Sequence, residues 1–424
     1  MAESLLVRTG RLLDVESGEL LPDRRLLVDA AGRVEVVLTP SQPGPPAGST
    51  RELDLSGLTV LAGLIDCHAH LIGDIEFAGV PAIGQTAEEE LAAGERNAAA
   101  TLRAGFTSVR DVGTYRAHLD VRLRERIDAG RALGPRMQCA GGYVTKPGGG
   151  GEVTGLAGSA IPAEMRRGVV RTPDEVGAAV RFFLDGGADL IKTIATGAVL
   201  TRGTHVSEIE LDQAMLEAAV GEAGRRGAHV AAHAHGSEGI KVAIRAGVRS
   251  VEHGSLLDDE GIELLVHHGT WLVADVYNGD WIDEVGRRDG WPAETLAKNA
   301  ATTLAQRDAV AKAIRAGVRL AYGTDSGVYP HGRNAIQFGY LVRLGMTPIA
   351  AIRSATLEAA ELMGWSDRVG SLEHGRFADL IAVDGDPTID AELLRRPLVV
   401  AKSGVVVRDE RGRSPASQAA IAGG

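Results

Sequence analysis

The sequence predicts an α/β fold, a (β/α)8 TIM barrel joined to a small β-sandwich domain built from both chain ends. Three observations carry it. A helix ending in glycine and followed by a short apolar strand recurs six times, from TLRAGFTSV to AIRAGVRLAYG. Eight candidate strands fall within about 250 to 300 residues, the span such a barrel needs. Extended segments broken by glycine occupy both flanks.

Residues 1–61 hold LLVRTGRLLD, RRLLVDAAGRVEVVLT and RELDLSGLTVL, separated by glycines and the loop SQPGPPAGS, and form the N-terminal part of the sandwich. Over 62–366 the texture changes to Ala-rich helices alternating with apolar strands, the pattern of a parallel α/β barrel. Gly105, Gly187, Gly227, Gly247, Gly269 and Gly317 suit the left-handed position just past a helix. The barrel strands are one ending at His70, then 106–113, 136–144, 190–197, 229–235, 250–254, 271–276 and 319–327. A last helix is expected over 347–363. Residues 367–424 turn β-rich again, in GSLEHGRFADLIAVDGDP and PLVVAKSGVVVRD, and each end alone offers few strands to bury, so the two ends should pair. The small, polar stretch from Arg413 to Gly424 is expected to be mobile unless docked. A doubly wound open sheet is the structural alternative.

With 424 residues, 44% of them hydrophobic, the chain can bury a large core. A net charge of −11, with basic clusters no longer than pairs such as Arg166-Arg167, argues against nucleic acid or an anionic membrane as partner. The two cysteines, Cys67 and Cys139, provide neither a disulfide framework nor a Cys-x-x-Cys metal pattern. Without an apolar run of about 18 residues a soluble protein is expected, cytoplasmic or exported with a signal peptide removed.

Chemistry enters at the strand ends. LAGLIDCHAH closes on His68 and His70, which alternate onto one face of a strand and can reach one metal ion. Lys192, in DLIKTIATG, lies in a strand covered on both faces, where an unpaired ammonium is costly. In HVAAHAH, His229, His233 and His235 share a face, and parity does not choose among them. His253 ends SVEH and Asp325 follows LAYGT. Each alone is an ordinary packing or loop residue. Their shared place at the ends of barrel strands, where barrel chemistry sits, points to a metal centre.

These residues resemble the two-metal pattern of the amidohydrolase superfamily. GLIDCHAH, AIRAGVRSVEHG, GTDSG and SATLEAAELMGW with GSLEHGRFADLIAVDGDP are similar to its branch of Xaa-Pro dipeptidases, imidazolonepropionase-like proteins and ochratoxin amidohydrolases, and the resemblance covers essentially the whole chain. It implies that His68, His70 and Asp325 bind the more buried of two divalent ions, zinc as the first choice. It implies that His233, rather than His235, binds the other ion with His253. Lys192 would bridge the two ions after carboxylation by carbon dioxide, which needs the neutral amine that burial favours. Asp325 would carry the proton from water to the leaving amine, and Tyr143 would donate to the scissile carbonyl or the oxyanion. A homo-oligomer, with an octamer among its forms, is implied as well.

The branch recognises a free α-carboxylate on the leaving amino acid, for which Lys146, Arg202, His205, His235, His331 and Arg333 are the candidate contacts. One departure stands out: relatives resemble G-G-H-G after the third strand, where this chain has Gly148 to Gly151, suggesting a mobile loop or room for a bulky acyl group. The expected reaction is hydrolysis of an N-acyl amino acid or dipeptide, with ochratoxin A cut to ochratoxin alpha and phenylalanine as the favoured case. Alternatives are an Xaa-Pro or Xaa-Arg/Lys dipeptidase and a cyclic-amide hydrolase. His235-x-x-Glu238 resembles a one-metal deaminase pattern, against which Lys192 stands, and six intact ligand positions stand against a catalytically dead scaffold.

Overall fold

The computed structural model describes residues 4–46, 48–73 and 81–412; the Arg413–Gly424 tail lies outside the described residues. The N-terminal strands are β1 (Leu5–Leu13), β2 (Leu20–Pro22), β3 (Arg25–Val28), β4 (Val34–Leu38) and β5 (Arg51–Ala62). Across Gly63, β5 continues directly into β6 (Leu64–Ala69), the first barrel strand. A Cβ on Gly63 would lie 2.2 Å from Thr107 Oγ1, so only glycine lets the strand pass that close to its neighbour.

The parallel barrel continues with β7 (Phe106–Asp111), β8 (Arg136–Cys139), β9 (Tyr143–Val144), β10 (Ile191–Ile194), β11 (Val230–Ala234), β12 (Ser250–His253) and β13 (Trp271–Val273). The segment expected as one strand, 136–144, is two. β8 pairs with β7, the chain turns through Gly141 at φ +75°, and β9 pairs with β10. The eighth strand, expected over 319–327, is irregular. It joins its neighbours through single bridges, Leu320 to Leu272 and Ser326 to Ala69. Cys67 N also donates to Tyr322 O and Asp325 N to His68 O, both at 2.7 Å, so the barrel closes although Asp325 leaves the extended conformation at φ +54°.

Around it lie α1 (Ala87–Arg103), α2 (Leu119–Asp128), α3 (Pro173–Asp185), α4 (Gln213–Arg225), α5 (Ser237–Arg245) and α6 (Asp259–His268). The chain then adds α7 (Asn278–Asp289), α8 (Ala293–Arg315), α9 (Gln337–Arg343), α10 (Pro348–Ser354) and α11 (Leu357–Met363). All six junction glycines adopt positive φ. Bonds from Ala188 N to Phe183 O, Ala228 N to Ala223 O and Val318 N to Ala313 O satisfy the last helical carbonyls in the same way each time. The helix expected over 347–363 breaks at Ala355–Thr356, which frees Ala355 O to accept from Ile65 N of β6 at 2.8 Å.

β14 (Leu380–Val383), β15 (Val399–Lys402) and β16 (Val405–Asp409) complete the β-domain. Its sheet runs β16-β15-β14-β5-β1-β3-β4, with β2 on β1, so both chain ends build it. Period-two alternation sends Leu5, Val7, Leu53, Leu55, Leu380 and Ala382 into its own core. The opposite parity, Leu61, Ile381 and Val400, packs into the barrel core.

Candidate metal centre

The C-terminal ends of the barrel strands surround a cavity. His68 lies near the end of β6 with His70 just beyond it, Lys192 is on β10, His233 on β11 with His235 just beyond, His253 ends β12, and Asp325 follows the eighth strand. All seven line the cavity, and His229, at the other end of its strand, does not; depth decides what parity left open.

Four of the five cavity histidines are fixed through Nδ1. Glu252 Oε2 lies 2.8 Å from that atom of His68, Gly113 O 2.8 Å from that of His70, Asp275 Oδ1 2.9 Å from that of His253, and Ser255 Oγ 2.8 Å from that of His235. Nε2 is thereby left for the cavity, as in metal sites whose ligands are oriented by hydrogen bonds on the other nitrogen. Asp325 Oδ1 lies 3.3 Å from His68 Nε2 and 3.2 Å from His70 Nε2. The ring centres of His233 and His253 are 4.5 Å apart, and those of His68 and His253 4.8 Å.

Two buried groups of donor atoms, His233 with His235 and His253, and His68 with His253 and Asp325, each lie close enough to hold one ion. His253 belongs to both. His235, assigned to substrate by resemblance, therefore stands in the same cluster as His233. Lys192 Nζ and His233 Nε2 are buried without a hydrogen-bond partner. Orphaned, converging donors of this kind fit divalent ions. His253 and Asp325 hold non-glycine positive φ, +71° and +54°, the strained backbone found where surrounding structure fixes a functional group.

Electrostatics agree with ligation. Burial lowers the Lys192 amine to about 8, toward its neutral form, and lowers the His235 imidazole to about 3 and that of His233 well below its ordinary value, so both imidazoles are neutral. Burial also opposes a charged Asp325, yet His68 and His70 hold its carboxyl well below the usual range. Beneath the site, Arg110 donates to Glu252 Oε1 at 2.7 Å, to Ser250 Oγ and to Cys67 O, all fully buried, which keeps Glu252 ionised against His68.

Of the other candidates, one lines the cavity and five do not. Tyr143 lines the cavity, and its hydroxyl donates to Gly113 O at 3.0 Å and lies 3.1 Å from His70 Nδ1. Lys146, Arg202, His205, His331 and Arg333 do not line the cavity. Lys146 is ion-paired with Glu208, Arg202 and His205 are exposed, His331 Nε2 sits behind the site 3.0 Å from His70 O, and exposed Arg333 lies over the Trp281 ring. Within Gly148–Gly151 the last three residues are packed, and Gly148 alone is exposed. A Cβ on Gly151 would stand 2.8 Å from Tyr143 Cβ, and Gly150 N is 2.9 Å from Glu210 Oε2, so the glycines allow a tightly packed wall.

Sequence reasoning missed Glu252, Arg110, Asp275 and Asn278. The burial cost that singled out Lys192 applies equally to Arg110 and Glu252 inside their strands. Asp275 ends the seventh strand much as Asp325 ends the eighth. Asn278, at the start of α7, had no such signal.

An α/β barrel with converging histidines, a buried lysine and an aspartate at its strand ends has donor groups that could hold metal ions, as metal-dependent hydrolases of this fold do. The chain belongs to the Amidohydrolase family, whose pattern it matches over residues 59–409. It is 32% identical to ochratoxinase of Aspergillus niger over 361 residues, covering 80% of this chain and 73% of that protein. It is 26% identical to imidazolonepropionase of Micrococcus luteus, covering 87% and 90%. Among solved structures, a Xaa-Pro dipeptidase with bound methionine in the active site superposes at a TM-score of 0.89 with 34% identity over 95% of this chain and 99% of that one. The A. niger ochratoxinase structure superposes at 0.82 with 28% identity, over 98% and 99%. The protein is thus a hydrolase acting on amide bonds. Among the described residues no helix is long and apolar enough to cross a membrane.

Proposed function

We propose that this chain binds two divalent metal ions, zinc first among them, and hydrolyses the amide bond of an N-acyl amino acid or dipeptide, releasing the C-terminal amino acid. Ochratoxin A, cut to ochratoxin alpha and phenylalanine, is the substrate that kinship favours. The observation that carries the reading is Lys192, buried without a partner in a cavity shared with His68, His70, His233, His253 and Asp325. Burial moves that amine toward the neutral form that carboxylation needs, and carboxylation turns it into an anionic ligand with two oxygens. Such ions, when bound, polarise the scissile carbonyl and acidify water. Asp325, ionised and fixed through Oδ2 by Asn278, takes the proton of the attacking water and returns it to the leaving nitrogen. Tyr115, Ile194, Leu200 and Val328 give the acyl group an apolar wall. A homo-oligomer is part of the same reading, and sedimentation reads it directly.

The test is a hydrolysis panel on protein of measured metal content. Release of phenylalanine from ochratoxin A, with Lys192→Ala losing both metal and turnover, is the expected result. Turnover of Xaa-Pro or Xaa-Arg dipeptides with ochratoxin A untouched would transfer the function to a dipeptidase. Full metal and activity in Lys192→Ala would remove the bridging role.

A further inference from the structure

The segment 197–205, which follows β10, has no regular secondary structure, yet it supplies Val199, Leu200 and Thr201 to the cavity wall. Helix α8, inserted between the seventh and eighth strands, grips it. The buried Lys298 of α8 donates to Ala198 O at 3.0 Å, to Thr201 O at 2.6 Å and to Thr204 O at 3.4 Å, and lies 3.2 Å from Glu294 Oε1. Glu294 Oε1 in turn accepts from Gly203 N at 2.8 Å. Three carbonyl oxygens thus converge on one ammonium; without a cation among them they repel one another and lose buried hydrogen bonds. Lys298 is not among the residues that line the cavity, so its charge acts on the wall through the backbone.

The same helix reaches the metal centre. Lys298, Thr302 and Gln306 are spaced by four and share one face of α8. Gln306, some two turns or about 12 Å along the axis from Lys298, donates to Asp275 Oδ1 at 3.0 Å and to His253 O at 3.1 Å. Thr302, between them, lines the cavity. One helix face therefore holds the carboxylate that orients His253 at one end and the 197–205 segment at the other. Thr201 Oγ1 donates to Gly150 O at 2.9 Å, which ties that segment to the glycine wall as well.

We infer that Lys298 is a specificity-determining positioning residue: by gathering the carbonyls of Ala198, Thr201 and Thr204 it sets where Val199 and Leu200 stand, and so how tightly the enzyme binds substrates whose acyl group is large enough to reach them. Lys298 touches neither the substrate nor the reacting atoms. The inference rests on the amide-hydrolase reading above and names the device that sizes its acyl group.

The experiment compares N-(2-naphthoyl)phenylalanine with N-acetylphenylalanine on the wild type, Lys298→Met, Lys298→Ala and Lys298→Arg, each of measured metal content. Lys298→Met should raise KM for the naphthoyl substrate by about tenfold, with kcat, metal content and the acetyl substrate nearly unchanged. Hydrogen exchange over 197–204 should be faster in that variant. Propylammonium, which carries the atoms that Lys298→Ala lacks, should restore the naphthoyl KM of that variant and leave the wild type unaffected. A lysine that only stabilised the fold would lower the urea midpoint without separating the two substrates. Lys298→Arg keeps the charge and carries the same comparison where the Met and Ala variants do not fold; its naphthoyl KM should lie between those of the wild type and Lys298→Met. Equal changes for the two substrates, or an unchanged naphthoyl KM, in the variants that fold overturn the inference and leave amide hydrolysis standing. A wild type that cleaves neither substrate removes the amide-hydrolase reading and the inference with it.

Discussion

Asn278 Nδ2 donates to Asp325 Oδ2 at 2.8 Å and to Asp275 Oδ2 at 2.7 Å, so one amide couples the proposed proton carrier to the carboxylate that orients His253. Asn278→Ala frees the Asp325 carboxylate to rotate and should lower kcat by about 10²-fold with little change in KM. Asn278→Asp adds a third buried carboxylate and should lower kcat further. Both are read from steady-state kinetics on metal-assayed protein; an unchanged kcat in both variants removes the positioning role.

Arg110 and Glu252 form an ion pair with both side chains fully buried. Arg110→Met leaves Glu252 facing His68 without its counter-charge and should cost about 3–5 kcal/mol of folding stability. The urea midpoint should fall with an unchanged slope. Arg110→Met with Glu252→Gln should cost less than the two single changes added together, because the second change removes the stranded charge. Strict additivity would show that the two side chains do not act as a pair.

The packed glycine wall makes a steric prediction. A methyl at Gly151 stands 2.8 Å from Tyr143 Cβ and 2.9 Å from Ile194 Cγ1, so the wall must shift toward the cavity or away from it. Gly151→Ala should raise KM for a naphthoyl amide by about tenfold and leave the corresponding acetyl amide nearly unchanged. Equal effects on both would show that the wall does not contact the acyl group.

Glu210, behind that wall, should give stability a pH dependence. Burial raises its carboxyl to about 7, against the opposing pull of the Gly150 N–H and of Lys146 and Lys298, with Glu208 adding to the rise. A folded-state value above the unfolded one means that the protonated acid stabilises the fold. That contribution is fully present below the unfolded value and is lost as pH rises through about 7. Relative to Glu210→Gln, the wild type should therefore lose on the order of 2–3 kcal/mol between pH 4 and pH 8, read from urea unfolding at each pH. Parallel curves for the two proteins would show that Glu210 titrates alike in both states.

Much of this was legible in the sequence because it is written in local chemistry. The helix-ending glycines mark a backbone conformation that other residues avoid, and His68-x-His70, Lys192, His253 and Asp325 lie where strand ends can be read from apolar runs. What escaped depends on distance across the fold. Loop cations were chosen by sign and position, but only tertiary structure hands Lys146 to Glu208 and places His331 behind His70. The glycine run read as freedom, because nothing local announces that Tyr143 and Ile194 close against it. Ala355 breaks its helix for the sake of Ile65, nearly three hundred residues earlier, and Asn278 matters only because the seventh and eighth strands bring Asp275 and Asp325 together.

The pairing of β5 with β14 also bears on how the molecule comes into being. Leu61 sits opposite Ile381, some 320 positions later in the chain. During synthesis β5 emerges early, continuous with the barrel's first strand, and its edge waits unpaired while the entire barrel is made. A ribosome stalled before residue 380 holds a chain with an open, apolar strand edge at Val60 and Leu61, the kind of surface that chaperones hold and that aggregation recruits. The last strands of the chain are therefore its seal of completion, and carboxyl-terminal truncations should be sorted by quality control long before any defect in the metal centre is felt.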